Sequence, residues 1–303
     1  MPKVKEKRAS VFNSTLTASA PSSFDETYAE YLATVERGIA ASVMGKSTVS
    51  QAGKYSLMAG GKRIRPVMLL NIAHQQGKPK ENPLTAAVAV EMLHTFSLIH
   101  DDMPCIDNAT LRRGRECAHR VYGEAAGLLA GDLLLNEAFR SMAQKYSPLT
   151  TGRLTGALAQ ACYGVIEGEW ADVQAESKDV KDVDMDFIYL NKTGRMIGVP
   201  MTMGLILCGW DDKKIAPFTK AAEEVGVAFQ IVDDLLDLHS NTAILGKDVA
   251  QDERKKTYFK RYGEKWCRSQ ITKLSESAQK VFKKLPKPGF MLQLTERLIH
   301  RDK

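Results

Sequence analysis

Leu84-Thr-Ala-Ala-Val-Ala-Val-Glu-Met-Leu-His94-Thr-Phe96-Ser97-Leu-Ile-His100-Asp101-Asp102 is apolar around most of its circumference and then ends in acid. Ahead of it, Asn82-Pro83 sets a capping side chain before a helix-starting proline, so the stretch reads as a helix buried on nearly all sides. Such a helix needs other helices around it. Phe218, Ala222, Val225, Phe229, Val232 and Leu236 recur in steps of four and three, one long apolar stripe on a second helix. Ser23-Phe-Asp-Glu26 reads as a capping box, with Tyr28, Tyr31, Leu32, Val35 and Ile39 following at helical spacing, so order is expected from Ser23 onward. Asn-Gly and Asp-Gly hairpin turns are absent, and the Ala, Leu, Met, Glu and Lys content suits helices. The expected fold is all-α. With no linker or fixed-period repeat after the first helix begins, residues 23–303 are expected to form one domain behind a basic, Ser/Thr-rich tail, residues 1–22.

Composition narrows the function. Of 303 residues, 44% are hydrophobic and 26% charged, which excludes a disordered or collagen-like chain. The longest apolar run, Ile197 to Trp210, is broken by Pro200 and falls short of the roughly 20 residues that span a bilayer, so no stable membrane insertion is expected. Cys105, Cys117, Cys162, Cys208 and Cys267 are scattered and form no CxxC pair, which argues against a disulfide framework or a zinc site and for a reducing compartment, the cytoplasm. The tail lacks the apolar core of a secretory signal; it reads as plain disorder, with an organellar transit peptide as the alternative. The net charge is +6, and most of the excess lies between Arg254 and Lys303, with fifteen Lys/Arg against four Asp/Glu. That run reads as a solvated helical face rather than a nucleic-acid surface, so no nucleic-acid partner is expected.

Two acidic clusters carry the chemistry. In His100-Asp101-Asp102-Met-Pro104-Cys-Ile-Asp107 a continuous helix would hold Asp107 about 240° from Asp101, so Pro104 is expected to end the helix and let the chain curl Asp107 back. In Phe229-Gln230-Ile-Val-Asp233-Asp234-Leu-Leu-Asp237 the three acids fall within about 100° of arc, with Gln230 one turn away on the same side. Carboxylates gathered on apolar helices need a hard cation. Mg²⁺ fits best, because it takes oxygen ligands and is commonly shared between carboxylates and substrate phosphates.

Basic residues supply the counterpart. Gly60-Gly-Lys62-Arg-Ile-Arg65-Pro66 puts Lys62 and Arg65 beside glycines, either an anion site or an ordinary basic loop. Arg112 and Arg113 follow the first acidic cluster. His94 lies two turns before Asp101 and about 20° off its face, so it points toward the same region unless it is a satisfied core residue. Lys192, Thr193 and Lys247 are uninformative singly.

Taken together, GGKRIRP (60–66), HTFSLIHDDMPCIDNATLRRG (94–114), GEAAGLLAGD (123–132), NKTG (191–194), FQIVDDLLD (229–237) and LGKD (245–248) resemble the trans-isoprenyl diphosphate synthases of the bacterial or plant short-chain type, in order and approximate spacing. The resemblance covers nearly everything after the tail. It implies the isoprenoid synthase fold, a bundle of antiparallel helices around a central apolar cavity, and a homodimer. It places isopentenyl diphosphate on Lys62, Arg65, His94 and Arg113, and the allylic diphosphate on Arg112, Lys192 and Lys247. Magnesium, three ions per site, would rest on Asp101, Asp107 and Asp233, with Asp102, Asp234 and Asp237 in support. Thr193 and Gln230 would line the reacting carbon end. The implied reaction is ionisation, condensation and elimination, with the proton lost to the released pyrophosphate.

The chain departs from the family pattern twice. Asp252 to Tyr258 is about two residues short, which leaves open whether Lys255 or Lys256 meets substrate, and Glu169 in Gly168-Glu-Trp-Ala-Asp172 stands where the family usually has Gln. Phe96, five positions before Asp101, resembles the bacterial farnesyl type and sets farnesyl diphosphate as the expected product. An ideal wheel puts Phe96 about 140° from Asp101 and the small Ser97 only about 40° away, so a deeper tunnel and a geranylgeranyl product stay open, as does Phe96 as plain core packing. A terpene cyclase would lack DDLLD and would not need GGKRIRP. A non-catalytic regulatory subunit is disfavoured by the intact acidic clusters.

Overall fold

Helix α4 (Leu84–Asp101) is the buried rod its composition demands: Asn82 Oδ1 accepts the Leu84 N–H at 2.9 Å, and Ala86 to Leu93, Thr95 to Ser97 and Ile99 are all buried. The computed structural model describes residues 23–42, 45–239 and 255–301. Two other helices are enclosed to a similar degree, α3 (Ile64–Gln75) and α9 (Arg195–Leu207). Around these three pack α1 (Phe24–Ala41), α2 (Thr48–Leu57), α5 (Ala118–Tyr122), α6 (Glu124–Lys145) and α7 (Pro148–Ala175). After the short α8 (Met185–Ile188) and α9 come α10 (Asp212–His239), α11 (Tyr258–Tyr262), α12 (Glu264–Phe282) and α13 (Gly289–Ile299). Helix α6 lies along α4, α3 against both α4 and α9, and α7 and α10 against α9. Met68, Leu69, Leu70, Met92 and Leu93 are fully enclosed, each contributing about 1.5–3 kcal/mol of burial, so the three inner helices anchor the bundle.

Helix α1 begins with the expected capping box, Ser23 Oγ accepting the Glu26 N–H at 3.3 Å and Glu26 accepting the Ser23 N–H at 2.8 Å. The first part of the apolar stripe of α10 also forms, but the two ends of the helix serve different neighbours. Phe218, Ala222 and Val225 join the main core, with Phe229 packed against it. Toward the other end it is Ile231 and Leu235, outside the expected stripe, and not Val232 and Leu236, that pack with Val183, Ile188, Tyr189, Tyr258 and Cys267 in a separate group beneath α11 and α12.

Two features depart from a plain run of α-helices. Residues Tyr189–Gly194, between α8 and α9, wind as a π-helix. Helix α7 presses on this turn at Gly168, where a Cβ would stand 2.6 Å from the Lys192 nitrogen, and α10 presses from the other side at Gly226, where a Cβ would stand 2.8 Å from Gly194 Cα. The second is a small antiparallel hairpin, Leu111–Arg112 with Arg115–Glu116, which the absence of Asn-Gly and Asp-Gly had argued against. Its turn residues are Arg113 (φ 54°) and Gly114 (φ 74°), the left-handed pair a two-residue hairpin turn requires. The fold class is all-α as expected. Among the described residues no helix is long and apolar enough to cross a membrane. The expected tail, residues 1–22, lies outside the described residues.

Candidate active site

The first acidic cluster forms where α4 stops. Asp102 caps the helix, and the chain then turns back so that the Asp107 N–H donates to the Asp101 carbonyl at 2.9 Å and the Ala109 N–H to the Asp102 carbonyl at 3.2 Å. Pro104 sits in this turn and Asp107 comes back beside Asp101, as the spacing requires. The hairpin then aims its arginines apart. Arg112 grips the buried Asp102, with Nε 2.9 and 3.2 Å from the two carboxylate oxygens and a further ion pair through its terminal nitrogen. Arg113 donates to the Gly60 carbonyl instead, which holds this non-glycine residue at positive φ.

That contact closes the basic side. In the loop before α3, Arg63 is wholly structural: it is buried and donates to Glu36 at 2.8 Å, to the buried Glu91 at 2.7 Å and to the Leu57 carbonyl at 2.7 Å. Lys62 and Arg65 stand on either side of it. Arg65 Nε is buried without an acceptor, and burial, with Arg113 adding repulsion against the pull of Glu91, lowers its pKa to about 10. His94 is held well below the usual imidazole range by burial first and then by Arg65, Arg113, Arg112 and Arg63. Burial and Arg301 lower Lys62. Cations that depress one another in this way are short of negative charge, the condition of an anion site.

The second cluster lies on α10. Asp233 pairs with Arg301, whose guanidinium also covers the Phe229 ring at 4.0 Å. Asp234 accepts from Gln230 Nε2 at 3.1 Å and from the Tyr189 hydroxyl, and Gln230 Oε1 accepts the Thr193 hydroxyl at 2.9 Å. Burial raises Asp234 to about 6; the bonds from Tyr189 and Gln230 oppose this, while Asp237 and Asp172 add to it. Between the clusters stands Lys192, presented by the π-helix and held by Glu169 at 2.6 Å and Asp172 at 2.7 Å. Asp101 lies within electrostatic reach of Glu169 and Lys192, and Asp234 within reach of Asp172.

The carboxylates are mostly occupied by the chain's own cations and donors, including Lys255, whose Nζ is 3.6 Å from Asp107. Accordingly, among the described residues no three potential ligands are already gathered into a metal-holding group. Asp101 differs. Burial and the charge of Glu169, with Asp107 adding and Lys192 and Arg112 opposing, raise its carboxyl to about 8, the signature of a buried acid lacking a cation. An all-oxygen donor set with such an acid at its centre fits Mg²⁺. Phe96 is buried edge-on to His100 at 4.8 Å, and His100 Nε2 lies 3.0 Å from the Leu128 carbonyl of α6; Ser97 Oγ donates to the His94 carbonyl at 3.0 Å. Lys247 lies outside the described residues.

Sequence reasoning passed over Tyr189 and Arg301. Tyr189 stands two residues before the Asn191-Lys-Thr-Gly194 motif but has no spacing relation to the acids it meets, and Arg301 belonged to a basic run read as solvated.

Acids gathered around one lysine, beside an arginine-rich group short of negative charge, form an arrangement of the kind that suits phosphorylated ligands and divalent cations in an all-α fold. Residues 46–282 match the polyprenyl synthetase family model, and the chain belongs to that family. It is 38% identical over 282 residues to a heterodimeric geranylgeranyl pyrophosphate synthase large subunit of Arabidopsis thaliana, covering 87% of this chain and 76% of that protein. It is 39% identical over 222 residues to farnesyl diphosphate synthase of Geobacillus stearothermophilus, covering 71% of this chain and 75% of the relative. Among solved structures, a geranyltranstransferase from Thermotoga maritima superposes with a TM-score of 0.74 at 32% identity, over 92% of this chain and 99% of that one. The family places the chain among the trans-prenyltransferases, with both farnesyl and geranylgeranyl synthases as relatives.

Proposed function

We propose that the chain condenses isopentenyl diphosphate with dimethylallyl or geranyl diphosphate and releases farnesyl diphosphate. The observation that supports this most is Lys192, held by Glu169 and Asp172 of α7 within electrostatic reach of Asp101, together with a second basic group at Lys62, Arg65, His94 and Arg113. Two diphosphates need two anion sites, and only one of them needs metal-binding acids beside it.

In this reading Arg65 and Arg113 offer forked donors to isopentenyl diphosphate, Lys62 a mobile charge and His94 a neutral ring. The allylic diphosphate lies against Arg112, Lys192 and Lys247. Asp101, Asp107 and Asp233 would hold magnesium, three ions per site, with Asp102, Asp234 and Asp237 supporting them; when bound, the metal supplies positive charge to the departing pyrophosphate. Arg112 and Lys192 stabilise the same charge as the C1–O bond breaks and its electron pair leaves with the pyrophosphate. The oxygen dipoles of Thr193 and Gln230 lie at the resulting allylic cation. The isopentenyl double bond then closes the new carbon–carbon bond, and the proton lost goes to pyrophosphate.

Incubation with isopentenyl diphosphate, dimethylallyl diphosphate and Mg²⁺, followed by chromatography of the dephosphorylated alcohols, tests this. A dominant C15 alcohol is expected; no turnover by the chain alone would remove the catalytic reading and leave a regulatory subunit. A C20 product has one observation in its favour: the Phe96 ring is turned to His100 beside α6, while the small Ser97 lies on the Asp101 side of α4.

A homodimer is part of the proposal. On α7, Gly152, Gly156, Ala159, Tyr163, Ile166 and Trp170 fall within about 80° of arc and are all exposed, Trp170 to 58%. Small residues fill one half of this face and large apolar ones the other, so two copies crossing antiparallel would set large against small. Trp170→Asp should then halve the mass measured by light scattering.

A further inference from the structure

Tyr189 opens the π-helix that carries Lys192 and Thr193, and its hydroxyl reaches out of that turn to α10. It donates to one oxygen of Asp234 and accepts the Tyr258 N–H at 3.2 Å. The other Asp234 oxygen accepts from Gln230 Nε2 at 3.1 Å, and Gln230 Oε1 accepts the Thr193 hydroxyl at 2.9 Å. Three hydrogen bonds therefore link four side chains, and the backbone from residue 189 to residue 193 closes them into a ring. Residues 189 and 193 of the π-helix meet residues 234 and 230 of α10, each pair separated by one turn.

The ring has no slack. Tyr189 is 4% exposed and packs on Tyr258 with centroids 4.3 Å apart, so the hydroxyl cannot move without the aromatic group. Asp234 has both oxygens engaged, which fixes its rotamer next to Asp233. A phenylalanine would fill the same space, so packing does not require the hydroxyl.

We propose that Tyr189 is a positioning residue for prenyl transfer: through Asp234 it sets the register between Lys192 on the π-helix and the acidic face of α10. This rests on the proposed function, because a fixed register matters only if both sides grip one metal-bound diphosphate. The isopentenyl site, formed by α3, α4 and the hairpin, lies outside the ring and is untouched by it.

The test uses Tyr189→Phe, Asp234→Asn and the double variant, with inorganic pyrophosphate titrated calorimetrically in the presence of Mg²⁺ and KM measured for both substrates. Loss of a hydrogen bond to a charged acceptor should weaken pyrophosphate binding by about tenfold in Tyr189→Phe and raise the allylic KM, with the isopentenyl KM unchanged. In the Asp234→Asn background the same change should alter binding by less than about twofold, because Tyr189 acts through Asp234. The Tyr258 N–H loses its acceptor in both backgrounds, so a general loss of stability appears equally in both and does not imitate this coupling. Wild-type binding by Tyr189→Phe, or effects that multiply in the double variant, overturns the proposal. A wild-type chain that neither binds pyrophosphate nor turns over overturns the proposed function beneath it.

Discussion

Replacing Phe96 by Ala should convert a C15 synthase into a C20 one. The ring is 4% exposed and stands five residues before Asp101, about 7.5 Å along the axis of α4. Four residues further down the same face is Met92, also buried, so where the ring is the floor for the growing chain, its removal sets the next one about 6 Å deeper, room for one more five-carbon unit. The truncation also costs about 3–5 kcal/mol of folding stability, because neighbours such as His100, held against α6, cannot collapse fully into the void. Phe96→Leu, which keeps more of the volume, should give an intermediate mixture of C15 and C20. Chromatography of the dephosphorylated products reads the outcome, and thermal unfolding verifies that each variant is folded at the assay temperature. A folded Phe96→Ala with an unchanged C15 profile would refute the argument and move the floor to another side chain, Ser97 first.

Three other expectations come from the same geometry. Arg63→Ala should remove about 3–5 kcal/mol in urea denaturation, since it strands the buried Glu91, whereas Lys62→Ala should change stability by less than about 0.5 kcal/mol and raise the isopentenyl KM severalfold. Burial and four arginines disfavour the His94 imidazolium; a bound diphosphate offsets the arginine charge, so the His94 pKa read by NMR should rise on adding isopentenyl diphosphate, and a fixed value would place the anion elsewhere. Lys255→Ala should raise the allylic KM while Lys256→Ala leaves it near wild type, because Lys255 is the one beside Asp107; equal effects would remove the distinction.

What could be read in advance was what local chemistry decides. The capping box at Ser23, the asparagine before α4, the turn at Pro104 and the first part of the stripe on α10 each depend on neighbours within a few residues, and each forms. What escaped depends on contacts distant in sequence. Arg113 keeps its positive φ through Gly60, fifty-three residues away, so the hairpin it turns had no local sign. The π-helix arises because α7 and α10 close on it at Gly168 and Gly226. In Lys62-Arg63-Ile-Arg65 the sequence reading named Lys62 and Arg65 and gave Arg63 no role; that Glu36 and Glu91, on other helices, hold Arg63 had no local sign. The role carried over to Thr193 by family resemblance was accessible only that way, since nothing in its spacing marks it, whereas Gln230 shares the face of the three acids by spacing alone.

The occupied state of the acids bears on how such a site would load. Asp102 is held by Arg112, Asp107 by Lys255, Asp233 by Arg301, and Glu169 with Asp172 by Lys192. Under the proposed function several of these cations are also the ligands of the allylic diphosphate. A diphosphate arriving alone would have to draw Arg112 and Lys192 from buried carboxylates, stranding acids at a cost of several kcal/mol each. A divalent cation arriving alone would have to displace the same side chains with no anion to receive them. Arriving together, each supplies the partner the other removes, so affinity for metal and for diphosphate must be strongly and reciprocally coupled. Arg112→Ala should weaken that coupling from both directions, raising the pyrophosphate needed at fixed Mg²⁺ and letting Mg²⁺ bind more readily without pyrophosphate. If both affinities fell together in calorimetry, the pairs would be scaffolding rather than exchangeable partners.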